Sequence, residues 1–420
     1  MGRRPRHTEG KRGAKLTMAG NRDKDLSAGT RLVTTGRSGS FSAHVVNPPV
    51  WRASTHLYAD CASLREGQKS NDDGHFFYGR RGAPTQWALS DALTELEPGA
   101  AGTVLYPSGL AAIVAALMAV LKPGDVLLVA DNAYEPTRNT AMGILKRYGV
   151  QHRFFDPLDV DGFAAAFCEN TKAVMLENPG SLSMEVCDVP ALARIAREKG
   201  AVSLLDNTWA TSLGFAALAH GCDIAITALT KHVGGHSDLM LGAASAGERW
   251  YRKLRMTAQQ LGHVVSPDDA ALALRGLRTM GVRLERETAT ALALAQWLHA
   301  RGDVAHVLCP MLPGAPGHEL WKRDFTGGCG LFSFVLKDRD DAARCRLVDA
   351  LDLFGIGYSW GGFESLAIPF DIPPIRSTMP WPKDGWGVGE SCGIRLSIGL
   401  EDASDLIADL DQAFAAMDKG

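Results

Sequence analysis

The stretch Thr227–Asp238, TALTKHVGGHSD, gathers a lysine, a hydroxyl, two histidines and an acid within a few residues. Lys231 follows an apolar, β-favouring run, Asp223–Ala228, and precedes a Gly-rich turn. In an α/β protein that is where ligands bind, in the crevice outside the carboxyl ends of the strands. Most lysines are solvated surface charges. A desolvated one has a lowered pKa and can form a Schiff base with a carbonyl. Such chemistry points to a covalently held aldehyde cofactor or a carbonyl substrate.

Three further features fall at strand ends. In Tyr106-Pro107-Ser108-Gly109-Leu110 a strand runs into an Ala-rich helix, whose free N–H groups and dipole make an anion site; an ordinary helix cap reads the same way. Asp206 closes the apolar run Ala201–Leu205. It either caps the next turn or pairs with a protonated pyridine nitrogen. Tyr134 lies on the loop after another strand and can stack on a flat ring. Phosphate site, acid, aromatic ring and Schiff-base lysine are together the parts of a pyridoxal phosphate enzyme, in which the pyridinium drains electrons from a carbanion.

The elements that must position these residues alternate. Strand patterns at Thr103–Tyr106, Val126–Ala130, Gln151–Phe155, Ala173–Leu176, Val202–Leu205 and Ile224–Ala228 are separated by helical patterns such as Gly109–Leu121, Pro136–Tyr148 and Val189–Lys199. This spacing predicts an α/β fold, a mostly parallel sheet covered by helices on both faces. Pro84 and Thr85 suit the start of a helix over Gln86–Leu96. After about Ala270 a long helical segment runs to Arg301, followed by a smaller α/β region. With 420 residues the chain exceeds one typical core. The expected division is a basic tail at 1–25, an arm at 26–80 contacting a neighbouring subunit, a large domain at 81–275 and a small C-terminal domain at 276–420. The loop Pro369–Gly389, rich in Pro, Trp and Gly, reads as surface covering.

Other classes fit poorly. The net charge of −3 gives no argument for nucleic-acid binding. Residues 1–25 lack the apolar core of a signal peptide, and the run Leu110–Leu121 is too short to span a bilayer. The eight cysteines are scattered, which suits reduced thiols in the cytoplasm. No G-x-G-x-x-G opens a helix after a strand, as a nicotinamide site would need. His232 and His236 are four apart, but Gly234 and Gly235 between them disfavour the helix that would aim both at one metal.

From about Asp25 onward the chain resembles the transsulfuration branch of the fold type I pyridoxal phosphate enzymes, and within it the bacterial cystathionine β-lyases. The resemblance rests on YGRRGAPT (78–85), YPSGLAA (106–112), DNAYEPTR (131–138), ENPGSLSMEVCDVP (177–190), LLDNTWAT (204–211), TKHVGGHSD (230–238), SWGGFESL (359–366) and IRLSIGLED (394–402). It implies a large and a small α/β domain, with Lys231 as Schiff-base anchor and base and Asp206 on the pyridine nitrogen. Tyr134 would stack on the ring. Ser108, the Gly109 and Leu110 amides and Thr230, with Tyr78 and Arg80 of a neighbouring subunit, would hold the phosphate. Arg395 would clamp the substrate carboxylate beside Ser359 and Trp360. The assembly implied is a tetramer of dimers that share active sites.

Two positions depart from that pattern. Ala228 stands where the family has a small hydroxyl, and Thr227 should face the other side of its strand. His232 follows the lysine where an aromatic residue is common. The reaction expected is carbon–sulfur β-elimination, with cystathionine γ-synthase, cystathionine γ-lyase or methionine γ-lyase as same-fold alternatives and a pyridoxal-binding regulatory protein as a non-enzyme one.

Overall fold

The computed structural model describes residues 26–37, 45–69, 73–372, 376–379 and 393–417; the basic segment 1–25 lies outside them. Runs of four to seven residues, mostly apolar except in β3, form the large sheet: β1 (Gly102–Tyr106), β2 (Val126–Ala130), β3 (Gln151–Phe155), β4 (Thr171–Glu177), β5 (Val202–Asp206), β6 (Ile224–Thr227) and β7 (Gly242–Ala246). Their order is β1-β7-β6-β5-β4-β2-β3. The pairs β2/β3, β2/β4, β4/β5 and β5/β6 are parallel, whereas β7 runs antiparallel to both its neighbours. The carboxyl ends of β1, β2, β4, β5 and β6 therefore share one edge of the sheet.

Side chains alternate between faces along a strand, so each run supplies two cores. Val126, Leu128, Ala130, Val174 and Leu176 pack on one side. Leu127, Val129, Ala173 and Met175 pack on the other. The sequence reading has no strand at β7, because Gly-Ala-Ala-Ser-Ala carries none of the β-branched residues that mark strands. Close packing explains that composition. A Cβ on Gly242 would lie 2.2 Å from the Ser108 carbonyl oxygen, and Ala244 and Ala246 are fully buried.

The second sheet has the order β10-β11-β12-β9-β8, from β8 (Val304–Leu308), β9 (Leu331–Leu336), β10 (Gly355–Ile356), β11 (Leu366–Phe370) and β12 (Gly393–Ser397). The two sheets are joined by one helix, Pro267–His299, whose N-terminus is capped by the Ser266 hydroxyl. It packs against the helix Pro84–Leu96 on the large side and against β8, β9 and the helix Ala403–Met417 on the small side. Residue 275 falls inside this helix, so no linker separates the two regions there.

Three local expectations change. Pro84 is the first helical residue, but Ala83 holds the cap position and Gln86 closes it. The Thr85 hydroxyl instead receives the Trp51 N–H at 2.9 Å and donates to the Pro49 carbonyl, tying the arm to its own chain. The helix expected over Pro136–Tyr148 is α-helical only over Glu135–Thr140 and then widens into a π turn at Ala141–Leu145. The described part of the Pro369–Gly389 loop does more than cover surface. Ser377, Thr378 and Met379 donate their N–H groups to the Asp131 carboxylate at 2.8–2.9 Å, and Arg376 bonds the Asp131 carbonyl and the Ser183 hydroxyl.

Asp131 is fully buried and also pairs with Arg138 at 2.6 Å. Burial alone would raise its carboxyl, but the Ser377 hydroxyl and the three amides hold it well below the usual carboxylate range. A depressed folded pKa gives stability that is present above the unfolded value near 3.9 and is lost as pH falls through the folded one. Asp131→Asn should therefore lower unfolding stability by about 3 kcal/mol at neutral pH. Chemical denaturation of both proteins at several pH values should show that gap narrowing below about pH 4.

Candidate active site

Where the strand ends meet, a cavity of about 330 Å³ opens. It is lined by Ser108, Gly109, Leu110, Tyr134, Asp206, Thr230, Lys231, Trp360 and Arg395, all anticipated from the sequence. Those of the large sheet come from strand ends or the segments just beyond them. Ser108 caps the helix Gly109–Val120 by accepting the Ala111 N–H at 3.1 Å. The Gly109 and Leu110 amides, on the helix's first turn, have no partner within the helix. Lys231 sits in the turn after β6, and Arg395 projects from the middle of β12.

The lysine amine donates to Ser359 Oγ at 2.7 Å and lies 5.1 Å from the centre of the Trp360 ring. Arg395 donates to the Ser359 carbonyl at 2.9 Å. Ser359 has φ +84°, a left-handed conformation that a non-glycine residue keeps only where its surroundings impose it. Burial, then the Arg395 charge, lowers the Lys231 pKa to about 8, against an opposing pull from Asp206. Asp206 is pushed up by burial and pulled back by Thr208, whose N–H and hydroxyl it accepts at 3.0 and 2.5 Å. The cavity thus presents a lysine that is partly a free base near neutral pH, facing a hydrogen-bonded carboxylate.

Sequence reasoning did not single out Glu177 or Thr208. Glu177 ends β4 in register with Asp206 on β5 and accepts the Tyr134 N–H at 2.6 Å. Burial and then the Asp206 charge push its pKa well up. The signal was the one that marked Asp206, an acid closing an apolar strand. Thr208 links the acid to the strand before the lysine, because its hydroxyl receives the Ala228 N–H at 2.9 Å. Leu182, Met184 and Met240 supply an apolar wall; the first two lie in the 177–190 motif, which did not single them out.

Some anticipated contacts are arranged differently. The Thr230 hydroxyl donates to the Leu241 carbonyl at 3.1 Å. Tyr78 and Arg80 do not reach this cavity from their own chain. Tyr78 is 45% exposed, and Arg80 donates to the Gln259 carbonyl at 2.8 Å. His232, the residue after the lysine, is absent from the lining and packs behind Trp360 with ring centres 5.3 Å apart. His236 lies against Phe363 instead. Ala228 fills the gap beside the helix start, where a Cβ on Gly109 would come within 2.6 Å of its own.

Comparison with known proteins identifies the family. Residues 29–415 match the family described as Cys/Met metabolism PLP-dependent enzyme. A putative cystathionine beta-lyase of Rhizobium johnstonii is 45% identical over 392 residues, 92% of this chain and 96% of that one. The cystathionine beta-lyase MetC of Escherichia coli is 42% identical over 396 residues, 94% of this chain and 99% of that one. The crystal structure of metB from Corynebacterium glutamicum superposes with a TM-score of 0.83 at 28% identity, covering 93% of this chain and 98% of that chain. A family match across nearly the whole sequence and relatives above 40% identity lead to one conclusion: the chain belongs to the Cys/Met metabolism family of PLP-dependent enzymes.

Proposed function

We propose that this enzyme cleaves the Cβ–S bond of cystathionine, consuming water and releasing homocysteine, pyruvate and ammonia. The observation that carries the reading is Lys231, an amine with a lowered pKa held between Ser359 and the Trp360 face in a cavity floored by Asp206. It is supported by relatives that bear the name cystathionine beta-lyase.

The residues present fit pyridoxal phosphate. Lys231 is the amine for its aldehyde, Asp206 the carboxylate for its pyridine nitrogen and Tyr134 the ring to cover it. The helix start at Ser108, Gly109 and Leu110 takes an anion. Thr230 can join them only by exchanging its bond to Leu241, and Tyr78 and Arg80 would come from a neighbouring subunit. When bound, the cofactor supplies a sink for the electron pair left at the substrate Cα.

The chain's own groups do the rest. Arg395 binds the substrate carboxylate, a match for a forked guanidinium. Burial lowers its pKa to about 10, which leaves it charged at neutral pH. The Lys231 amine, once free, takes the proton from the substrate Cα, with Ser359 holding it in place. The thiolate then departs from Cβ. Glu177 holds the Tyr134 backbone so that the ring borders the cavity. The assembly we propose is a cytoplasmic tetramer of site-sharing dimers, supported by the outward position of Tyr78 and Arg80.

Four experiments test the reading. Cofactor-free protein should take up pyridoxal phosphate at a rate that rises with pH and levels off above about 8, because the neutral amine is the nucleophile; an ordinary lysine would still be gaining at about 10. Borohydride trapping and peptide mapping should then place the label on Lys231, and a label elsewhere would sink the mechanism. Turnover of cystathionine should yield pyruvate and homocysteine, whereas 2-oxobutyrate and cysteine would mark a γ-acting enzyme. Arg395→Lys keeps the charge but loses the fork, and should lower kcat/KM by roughly a hundredfold.

A further inference from the structure

His232 is 1% exposed, and Glu287, on the long joining helix, is fully buried. His232 Nδ1 stands 3.5 Å from Glu287 Oε2. That distance is beyond a normal hydrogen bond, and both imidazole nitrogens and both Glu287 oxygens are without hydrogen-bond partners. Most buried polar groups have a partner, so such a pair calls for an explanation. The neighbouring Arg283, one turn earlier on the same helix, donates to the His232 carbonyl at 2.7 Å. His232 is thus held at its backbone by Arg283 and faces Glu287 with its ring.

The other face of the imidazole meets the indole of Trp360, whose ring also lies 5.1 Å from the Lys231 amine. The loop that carries Trp360 rests directly on His232. Gly361 has φ +79°, and a Cβ there would come within 3.0 Å of both the backbone nitrogen and Nδ1 of His232. Ser359, the partner of the lysine amine, is two residues before Gly361. The charged groups facing His232 are therefore Glu287 and Arg283 from the helix and Lys231 beyond the indole.

We propose that His232, seated between Glu287 and the Trp360 indole, is a positioning residue that fixes the Ser359-Trp360 loop against the Lys231 amine. The inference rests on the lyase reading for its kinetic consequence, because proton transfer from Cα depends on where that amine is held. Its spectroscopic consequence does not depend on turnover.

The test compares four holoenzymes: wild type, His232→Leu, Trp360→Leu and the double variant. His232→Leu should move the pH midpoint of the cofactor's visible absorption by about half a unit or more. It should also lower kcat for pyruvate release about tenfold while KM stays within about twofold, since Arg395 is carried by β12 and not by the loop. In the Trp360→Leu background the same substitution should change neither quantity, because the path runs through the indole. Unchanged midpoint and kcat in His232→Leu would overturn the proposal, as would shifts that add in the double variant. Should His232→Leu fail to fold, Glu287→Gln, equal in size and uncharged, takes its place in the same cycle with the same outcomes. A wild-type enzyme that releases no pyruvate overturns the lyase reading alone, and the absorption midpoints still decide the role of His232.

Discussion

An ammonium group taken out of water is costly unless something compensates it, and the surroundings here compensate Lys231 only in part. Asp206 favours the charged amine, while burial and Arg395 oppose it. The arrangement requires an acid, a guanidinium and an amine to converge from three separate chain segments. Parallel strand ends deliver the acid and the amine, and the small sheet delivers the guanidinium from β12. The two sheets must therefore be fixed relative to one another, which the unbroken helix Pro267–His299 provides by packing on both. An exposed lysine would need none of this.

Much of the site was legible because strand ends announce themselves. Asp206 and Lys231 follow apolar runs, and Ser108 precedes an Ala-rich helix. The parts that escaped notice are those whose meaning depends on register. Glu177 acquires a role only because β4 lies beside β5 and sets it opposite Asp206. Thr208 matters because the turn after β5 folds back to the segment after β6. Arg395 reads as a polar residue on an alternating strand, and only the placement of β12 brings it to the cavity.

The fold was legible to a similar depth and failed for similar reasons. Strands rich in Val, Leu and Ile were evident from the sequence, whereas β7 was not, because its residues are chosen for volume rather than for β propensity. Residue 275 lies within a continuous helix, and helical periodicity gives no sign of where one core hands over to the next. Asp131 follows an apolar strand as Asp206 does, yet it binds a distant loop instead of a ligand. An acid at a strand end marks a place where the chain can be anchored, and the partner decides what is anchored there.

The small residues of β7 link two matters that look separate. Gly242 lies against the Ser108 carbonyl, and Gly109 lies against Ala228, so the helix start at Gly109, the segment before the lysine and the centre of the sheet form one packing unit. Sequence drift is normally freest in runs of alanine and glycine that carry no chemistry. Here that freedom is withdrawn, because one added methyl group would press on the backbone that presents the Gly109 and Leu110 amides. The volume of a strand with no functional side chain is thus set by the backbone it packs against.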